Sequence, residues 1–300
     1  MFFEGIMPAI VTPLLPDEAV NIPVLEQLMG FFLDKGADGF YVAGATGEGL
    51  ALRFVERLRL AEAAVAAAGD KPCIIQVAST DFSQAIALAK HAQQVGAKAI
   101  SATPPLFFRY DEQDVYNYYK ALADAVEIPL IVYNSPLAGF PLTPDFIARL
   151  YGIDNITGVK WTSSDYYGLM KLKQLTNGEI NVLNGPDEML LMGLTAGADG
   201  GIGATYNFMF PLFRNIYDHF LRGDLAAAQE NQQLVTKMIT ALRAFSTIPA
   251  AKAMLRYKGF AVGTAGISNS LARPFKVREM ILTSCSRLPK FVPLAFINCR

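Results

Sequence analysis

The feature that most restricts how this chain can fold is a repeated exchange between two kinds of segment. Short apolar runs rich in valine and isoleucine alternate with longer stretches of helical period. The runs that read as strands are "GIMPAIVTP" (5 to 13), "DGFYVAG" (38 to 44), "CIIQVAS" (73 to 79), "AKAISATPP" (97 to 105), "PLIVYNSP" (129 to 136), "ITGVKWTS" (156 to 163), "INVLNGP" (180 to 186) and "DGGIGAT" (199 to 205). Between them lie segments such as "IPVLEQLMGFFLDKG" and "DEQDVYNYYKALADAV". Several open on Asp, Ser or Pro and close on Gly, which are the start and stop signals of helices. Near-continuous apolar strands are buried on both faces, and that requires parallel pairing under a cover of helices. Eight such units in ~200 residues match a (β/α)₈ barrel. A doubly wound open sheet is disfavoured, because no G-x-G-x-x-G follows the first strand.

The expected organisation is a barrel over residues 1–222 and a C-terminal helical extension over 223–300, packed on it as a single structural unit. The segments "FPLFRNIYDHFLRG", "LAAAQENQQLVTKMITALRAF" and "IPAAKAMLRYKG" are helical in pattern and exceed what an eighth barrel helix needs. The final "SRLPKFVPLAFINCR" is apolar, holds two prolines and shows no clear period. Three hundred residues at 52% hydrophobic content are enough for one core of barrel size, or for two ordinary ones.

Charge and cysteine content narrow the function classes. A formal net charge of −1 offers no electrostatic footprint for nucleic acid or an anionic membrane, so the expected partner is a small molecule. Cys73, Cys285 and Cys299 form neither a disulfide framework nor the paired spacing of a zinc site. The opening "MFFEGIMPAIVTP" lacks a basic n-region, and no apolar run reaches the ~18 residues of a membrane span. The expected location is the cytoplasm. His91 and His219 lie far apart in helical segments and read as helix-face residues, which disfavours Ser-His-Asp hydrolysis and His-rich metal sites.

In a barrel of this type, reactive groups gather where strands end. Alternation along "ITGVKWTS" gives Lys160 the same face as Gly158 and Thr162, with Val159 and Trp161 opposite. The bulky pair suits the helix-facing side and turns Lys160 into the barrel. A neutral amine in such a place is a carbonyl nucleophile able to form a Schiff base. The plain alternative is a snorkelling lysine or a structural ion pair. In "PLIVYNSP" the same alternation turns Tyr133 inward one strand earlier, as a general acid or base beside the lysine or as an ordinary packed tyrosine. "GATGEG" (44 to 49) allows tight turns, with amides around Thr46 and Gly47 able to point at an anion. "NGPDE" brings Asp187 and Glu188 to the mouth, where they accept hydrogen bonds from a polyol or cap the next helix. "GADGGIGATYN" (197 to 207) resembles a phosphate cradle.

Taken in order, "GATGEG", "YNSP", "GVKWTSSD", "NGPDE" and "AGADGGIGATYN" resemble the motifs of the dihydrodipicolinate synthase and N-acetylneuraminate lyase family of class I aldolases, over about residues 5 to 275. The resemblance implies a (β/α)₈ barrel with a helical extension, usually a homotetramer, and a lysine–pyruvate Schiff base formed without metal or cofactor. It makes Lys160 the Schiff-base lysine, Tyr133 the proton-transferring tyrosine, and Thr46 with Gly47 the holder of the pyruvate carboxylate. "VKWTSSD" and "GGIGATYN" look most like the sialic acid branch, which makes Thr162, Gly185, Asp187 and Glu188 contacts for the sugar part of the substrate. Aldolases for other 2-keto-3-deoxy sugar acids are the close alternative.

Several positions depart from the family's patterns. No arginine follows the turn in "YNSPLAGF", and Phe107 and Phe108 stand where the synthase branch has tyrosines. Ala45 and Ala204 stand where hydroxyl residues are usual. Two readings from other classes are a phosphate-binding barrel isomerase built on "GGIGAT", and a non-catalytic sugar-acid sensor.

Overall fold

The computed structural model describes residues 3–242 and 245–264. All eight expected strands form, each shorter than its apolar run: β1 (Gly5–Pro8), β2 (Phe40–Val42), β3 (Cys73–Gln76), β4 (Ala99–Ala102), β5 (Leu130–Asn134), β6 (Ile156–Trp161), β7 (Asn181–Asn184) and β8 (Gly200–Gly203). Their neighbours are parallel throughout, in the order β1-β8-β7-β6-β5-β4-β3-β2. The remaining seam, between β1 and β2, is joined by a single parallel bridge from Ala9 to Tyr41, with the Ile10 amide donating to the Tyr41 carbonyl at 3.0 Å. The sheet therefore closes into the expected barrel.

Helices follow the strands: α1 (Ile22–Asp34), α2 (Phe54–Ala68), α3 (Phe82–Gln94), α4 (Glu112–Asp124), α5 (Pro144–Tyr151), α6 (Tyr166–Leu175), α7 (Leu190–Thr195) and α8 (Tyr206–Leu221). Their starts are chemically marked. Asp81 caps α3, Asp111 and Asp114 form a reciprocal capping box on α4, Thr143 caps α5 and Asp165 caps α6. Each cap supplies an acceptor to an amide that has no partner inside its helix.

Side-chain alternation splits the core into two layers. Met7, Tyr41, Ile74, Ala99, Ile131, Tyr133, Leu183 and Ile202 fill the barrel interior with Phe3 and Ala9. Leu130, Val132, Val159 and Trp161 join the larger cluster between strands and helices. The inward turn expected for Tyr133 and the outward turn expected for Val159 and Trp161 are therefore both present. The strands pair Tyr133 directly with Lys160, and Lys160 with Leu183.

Beyond the barrel, α9 (Leu225–Leu242) packs along α8 and against the turn after β7, and α10 (Thr247–Tyr257) packs on α8. The chain after α10 comes back to the barrel, where the Leu14 amide donates to the Val262 carbonyl at 3.2 Å. His91 pairs with Glu62 at 2.9 Å and His219 with Asp224 at 3.2 Å, both on helix faces. Cys73 is buried, whereas Cys285, Cys299 and the terminal apolar segment lie outside the described residues. No helix among the described residues is long and apolar enough to cross a membrane.

Candidate active site

Lys160 stands near the carboxyl end of β6 and is only 5% exposed. Its Nζ lies 4.1 Å from the centroid of the Tyr41 ring and 4.2 Å from that of Tyr133. The two rings meet edge to face at 5.9 Å, so the amine sits in a notch formed by two aromatic faces. Among the described residues it has no hydrogen-bond or ion-pair partner. The structural ion pair weighed for this lysine is therefore not the arrangement found. An aromatic notch attracts a cation through the ring quadrupoles, and an iminium ion is such a cation.

Tyr41 and Tyr133 flank the amine almost equally, yet their hydroxyls differ. The Tyr41 hydroxyl donates to Ser101 Oγ at 3.1 Å, and Ser101 in turn donates to the Ile131 carbonyl at 2.8 Å. Burial, with Tyr133 adding to it, raises the Tyr41 phenol well above its ordinary range. Tyr41 is thus a wall of the site and a poor proton donor to substrate. The Tyr133 hydroxyl has no partner among the described residues, which leaves it available to a ligand. Tyr41 was not among the expected site residues, although alternation in "DGFYVAG" sets it opposite Phe40 and Val42, facing inward.

The glycine-rich loop reaches this notch through Tyr41. A Cβ at Gly44 would fall 2.4 Å from the Tyr41 ring, so only glycine lets the loop fold over it. Ala43 and Glu48 both adopt φ of 57°, and the loop closes on itself through Glu48 N to Ala45 O at 3.0 Å and Gly49 N to Gly44 O at 3.1 Å. Thr12 Oγ1 donates to the Gly47 carbonyl at 2.6 Å. The amides of Thr46 and Gly47 carry no hydrogen bond among the described residues, the arrangement of an anion nest. Ala45 is exposed, so its missing hydroxyl is not a gap in the interior.

The other candidates lie beyond β6 and β7. Thr162 Oγ1 is buried without a partner among the described residues, and a Cβ at Gly185 would stand 2.2 Å from it. Asp187 and Glu188, adjacent in sequence, have separate environments. Asp187 is buried, and its Oδ2 accepts from both the amide and the hydroxyl of Thr205 at 2.7 Å. Its Oδ1 is buried beside Gly203 and has no partner among the described residues. Burial raises its carboxyl to about 6, against the hydrogen bonds from Thr205; Glu188 raises it further and Lys160 lowers it. Glu188 remains half-buried. Asp187 therefore holds Thr205, the residue that opens α8, and among the described residues its carboxylate caps no amide of the helix that follows it.

That contact also bears on the phosphate reading of "GGIGAT". The Thr205 amide, which a phosphate would need, already serves a carboxylate. Sequence reasoning passed over Gln232 of α9, which accepts from Leu191 N at 2.9 Å and donates to the Asp187 carbonyl at 3.3 Å, holding the turn in place. A cleft of about 680 Å3 opens beyond the carboxyl ends of β5 and β6, lined by Asn134, Ser135, Trp161, Thr162 and Ser163 among others. It touches Thr162 but neither Lys160 nor Tyr133, so it flanks the amine. Among the described residues no three His, Cys, Asp or Glu side chains converge as a metal site requires.

An eight-stranded parallel barrel with a buried lysine at the carboxyl end of one strand, near a glycine-rich loop whose amides lack partners among the described residues, is the arrangement of a barrel enzyme with its site at the strand ends. The chain belongs to the dihydrodipicolinate synthetase family, whose model matches residues 2–268. It is 36% identical over 286 residues to the N-acetylneuraminate lyase of Rhizobium meliloti, covering 95% of this chain and 93% of that protein. Among solved structures, the N-acetylneuraminate lyase of Proteus mirabilis superposes with a TM-score of 0.87 at 26% identity, covering 96% of this chain and 98% of that one. YagE, a prophage protein of E. coli K12 solved in complex with pyruvate, does so with the same TM-score and identity, covering 95% of this chain and 98% of that chain. With these relatives the chain is a lyase of the aldolase kind.

Proposed function

We propose that this lyase is a Schiff-base aldolase that cleaves N-acetylneuraminate to N-acetylmannosamine and pyruvate. The observation that carries the proposal is the amine of Lys160, without an ionic partner among the described residues, held 4.1 and 4.2 Å from two tyrosine rings. Lys160 attacks the C2 ketone of the open-chain substrate, and loss of water leaves an iminium ion. Tyr133 assists removal of the C4 hydroxyl proton by relaying it onward through its own hydroxyl, the C3–C4 bond breaks, and the electrons of that bond pass to the iminium to give an enamine. N-acetylmannosamine leaves; protonation at C3 and hydrolysis then release pyruvate and restore the amine. Thr46 and Gly47 hold the keto-acid carboxylate through their free amides, while Thr162, Gly185, Asp187 and Glu188 face the sugar chain. Neither cofactor nor metal enters these steps.

Two likenesses support this reading: the relatives named as N-acetylneuraminate lyases, and the pyruvate bound to the E. coli protein. The absence of arginine from "YNSPLAGF" counts against dihydrodipicolinate synthesis. Ala204, next to Thr205, favours keeping other 2-keto-3-deoxy sugar acids in view, since a serine there would add a donor facing the substrate. The setting we propose is a cytoplasmic homotetramer, with residues 223–300 as an extension of the barrel. The exposure of Phe107 (87%), Phe108 (68%) and Leu137 (82%) supports self-association.

Borohydride reduction in the presence of pyruvate, followed by peptide mass mapping, tests the chemistry. An adduct on Lys160 is expected; no adduct, or one on another lysine, refutes the assignment. Pyruvate release from a panel of sialic acid and 2-keto-3-deoxy sugar acids then ranks the substrates.

A further inference from the structure

Lys252, in the middle of α10, is fully buried, and its Nζ lies 2.7 Å from Glu48 Oε1 in the glycine-rich loop. The Glu48 side chain is 7% exposed. The same ammonium group donates to the Thr264 carbonyl at 3.1 Å, in the chain that follows α10. A helix outside the barrel therefore grips the loop directly after the two amides that form the anion nest.

This contact acts on the nest through the backbone. Glu48 is held at φ of 57°, a conformation that residues with side chains adopt only where the surroundings enforce it. The carbonyl of Gly47 and the amide of Glu48 belong to one peptide plane. Thr12 holds the carbonyl side at 2.6 Å, and the Ala45 carbonyl receives the amide at 3.0 Å. Lys252 holds the side chain that issues from the next Cα. Together these fastenings set the tilt of the Gly47–Glu48 peptide, and with it the direction of the free Thr46 and Gly47 amides.

A mere packing pin would not call for charge, because apolar residues of similar volume are often as stable as a buried ion pair. Burial pulls the Lys252 ammonium below the usual lysine range even with Glu48 opposing it, so the charged contact is held at a cost to the fold. Removing one partner leaves the other charge buried beside the nest, where it distorts the loop or draws in water.

We propose that Lys252 and Glu48 are positioning residues for keto-acid binding, so that the C-terminal helices set the affinity of the carboxylate nest. This rests on the reading of the site as one that binds pyruvate.

The test compares wild type, Lys252→Met, Glu48→Gln and the double variant as full chains. It measures the pyruvate dependence of borohydride trapping at Lys160, the KM and kcat of cleavage, and Tm. In Lys252→Met the half-saturating pyruvate concentration and KM should rise by about tenfold, with kcat changed by no more than about threefold. The double variant has no unpaired buried charge and should recover most of the Tm, yet still bind pyruvate at least about threefold more weakly than wild type. A purely structural role would instead restore affinity along with Tm, and that result would overturn the proposal, as would unchanged affinity in every variant. Should Lys252→Met fail to fold, the double variant and Glu48→Gln carry the comparison. Absence of trapping in wild type would refute the aldolase reading and this proposal together, whereas normal trapping in both wild type and variants would refute this proposal alone.

Discussion

Replacing Asp187 with asparagine should remove a pH-dependent part of the protein's stability. Burial raises this carboxyl from 3.8 to about 6, against the two hydrogen bonds from Thr205. A difference of about two pH units is worth about 3 kcal/mol, since each unit corresponds to roughly 1.4 kcal/mol. The folded protein binds this proton more tightly than the unfolded chain does. The stabilisation is therefore complete below 3.8 and is lost as pH rises through about 6. An asparagine keeps one oxygen for the Thr205 amide and hydroxyl but does not titrate in this range, so its contribution is flat. Urea unfolding of both proteins at fixed subunit concentration, across a series of pH values, measures the difference. Wild-type stability minus that of Asp187→Asn should fall by about 3 kcal/mol between roughly pH 3.5 and pH 6.5. A difference that is constant over that range, or that rises with pH, would show that burial does not dominate at Asp187.

Two further substitutions test the amine's surroundings. Tyr133→Phe removes the hydroxyl that has no partner among the described residues and keeps the ring over Lys160, so pyruvate trapping should persist while cleavage slows roughly 10²–10⁴-fold. Steady-state rates measured beside the trapping yield separate these effects, and a normal rate would remove Tyr133 from the proton-transfer role. Gly185→Ala places a Cβ 2.2 Å from Thr162 Oγ1 and 2.8 Å from Thr162 Cα, so the backbone must shift. Denaturant unfolding should register a loss of about 1–3 kcal/mol, and substrate KM should rise as Thr162 is displaced.

How much of this was legible depended on whether the signal lay along the chain. The barrel could be read because its strands are buried on both faces, which leaves apolar runs at regular intervals between amphipathic segments. Their ends were less legible: the run at 5 to 13 yields a ladder of only Gly5–Pro8, because the residues beyond belong to the loop that carries Thr12. The inward turn of Lys160 followed from the bulk of Val159 and Trp161 on the other face, and Tyr133 followed in the same way. Tyr41 carried an equal signal, but a tyrosine in an apolar strand is ordinary core material until a lysine is found against its ring.

Asp187 and Glu188 mark where chain-local reading stops. As neighbours of the same chemical type they are equivalent in the sequence, yet one is buried with an oxygen bound to Thr205 and the other stays half-exposed. "GGIGAT" likewise reads as a phosphate cradle until Asp187 is seen on the Thr205 amide. Lys252 stands in a helical stretch whose period explains it fully, with no hint of Glu48.

The sequence by itself determined the class of fold, the face on which Lys160 stands and the glycines that let a loop cross Tyr41, because strand period, helix period and turn chemistry act between residues close along the chain. Only the tertiary structure decided which of two tyrosines keeps a free hydroxyl, which carboxylate is raised to about 6, and that a helix outside the barrel grips the anion loop. Burial and charge pairing depend on distances between residues far apart in the chain, and those distances exist only once the barrel has closed.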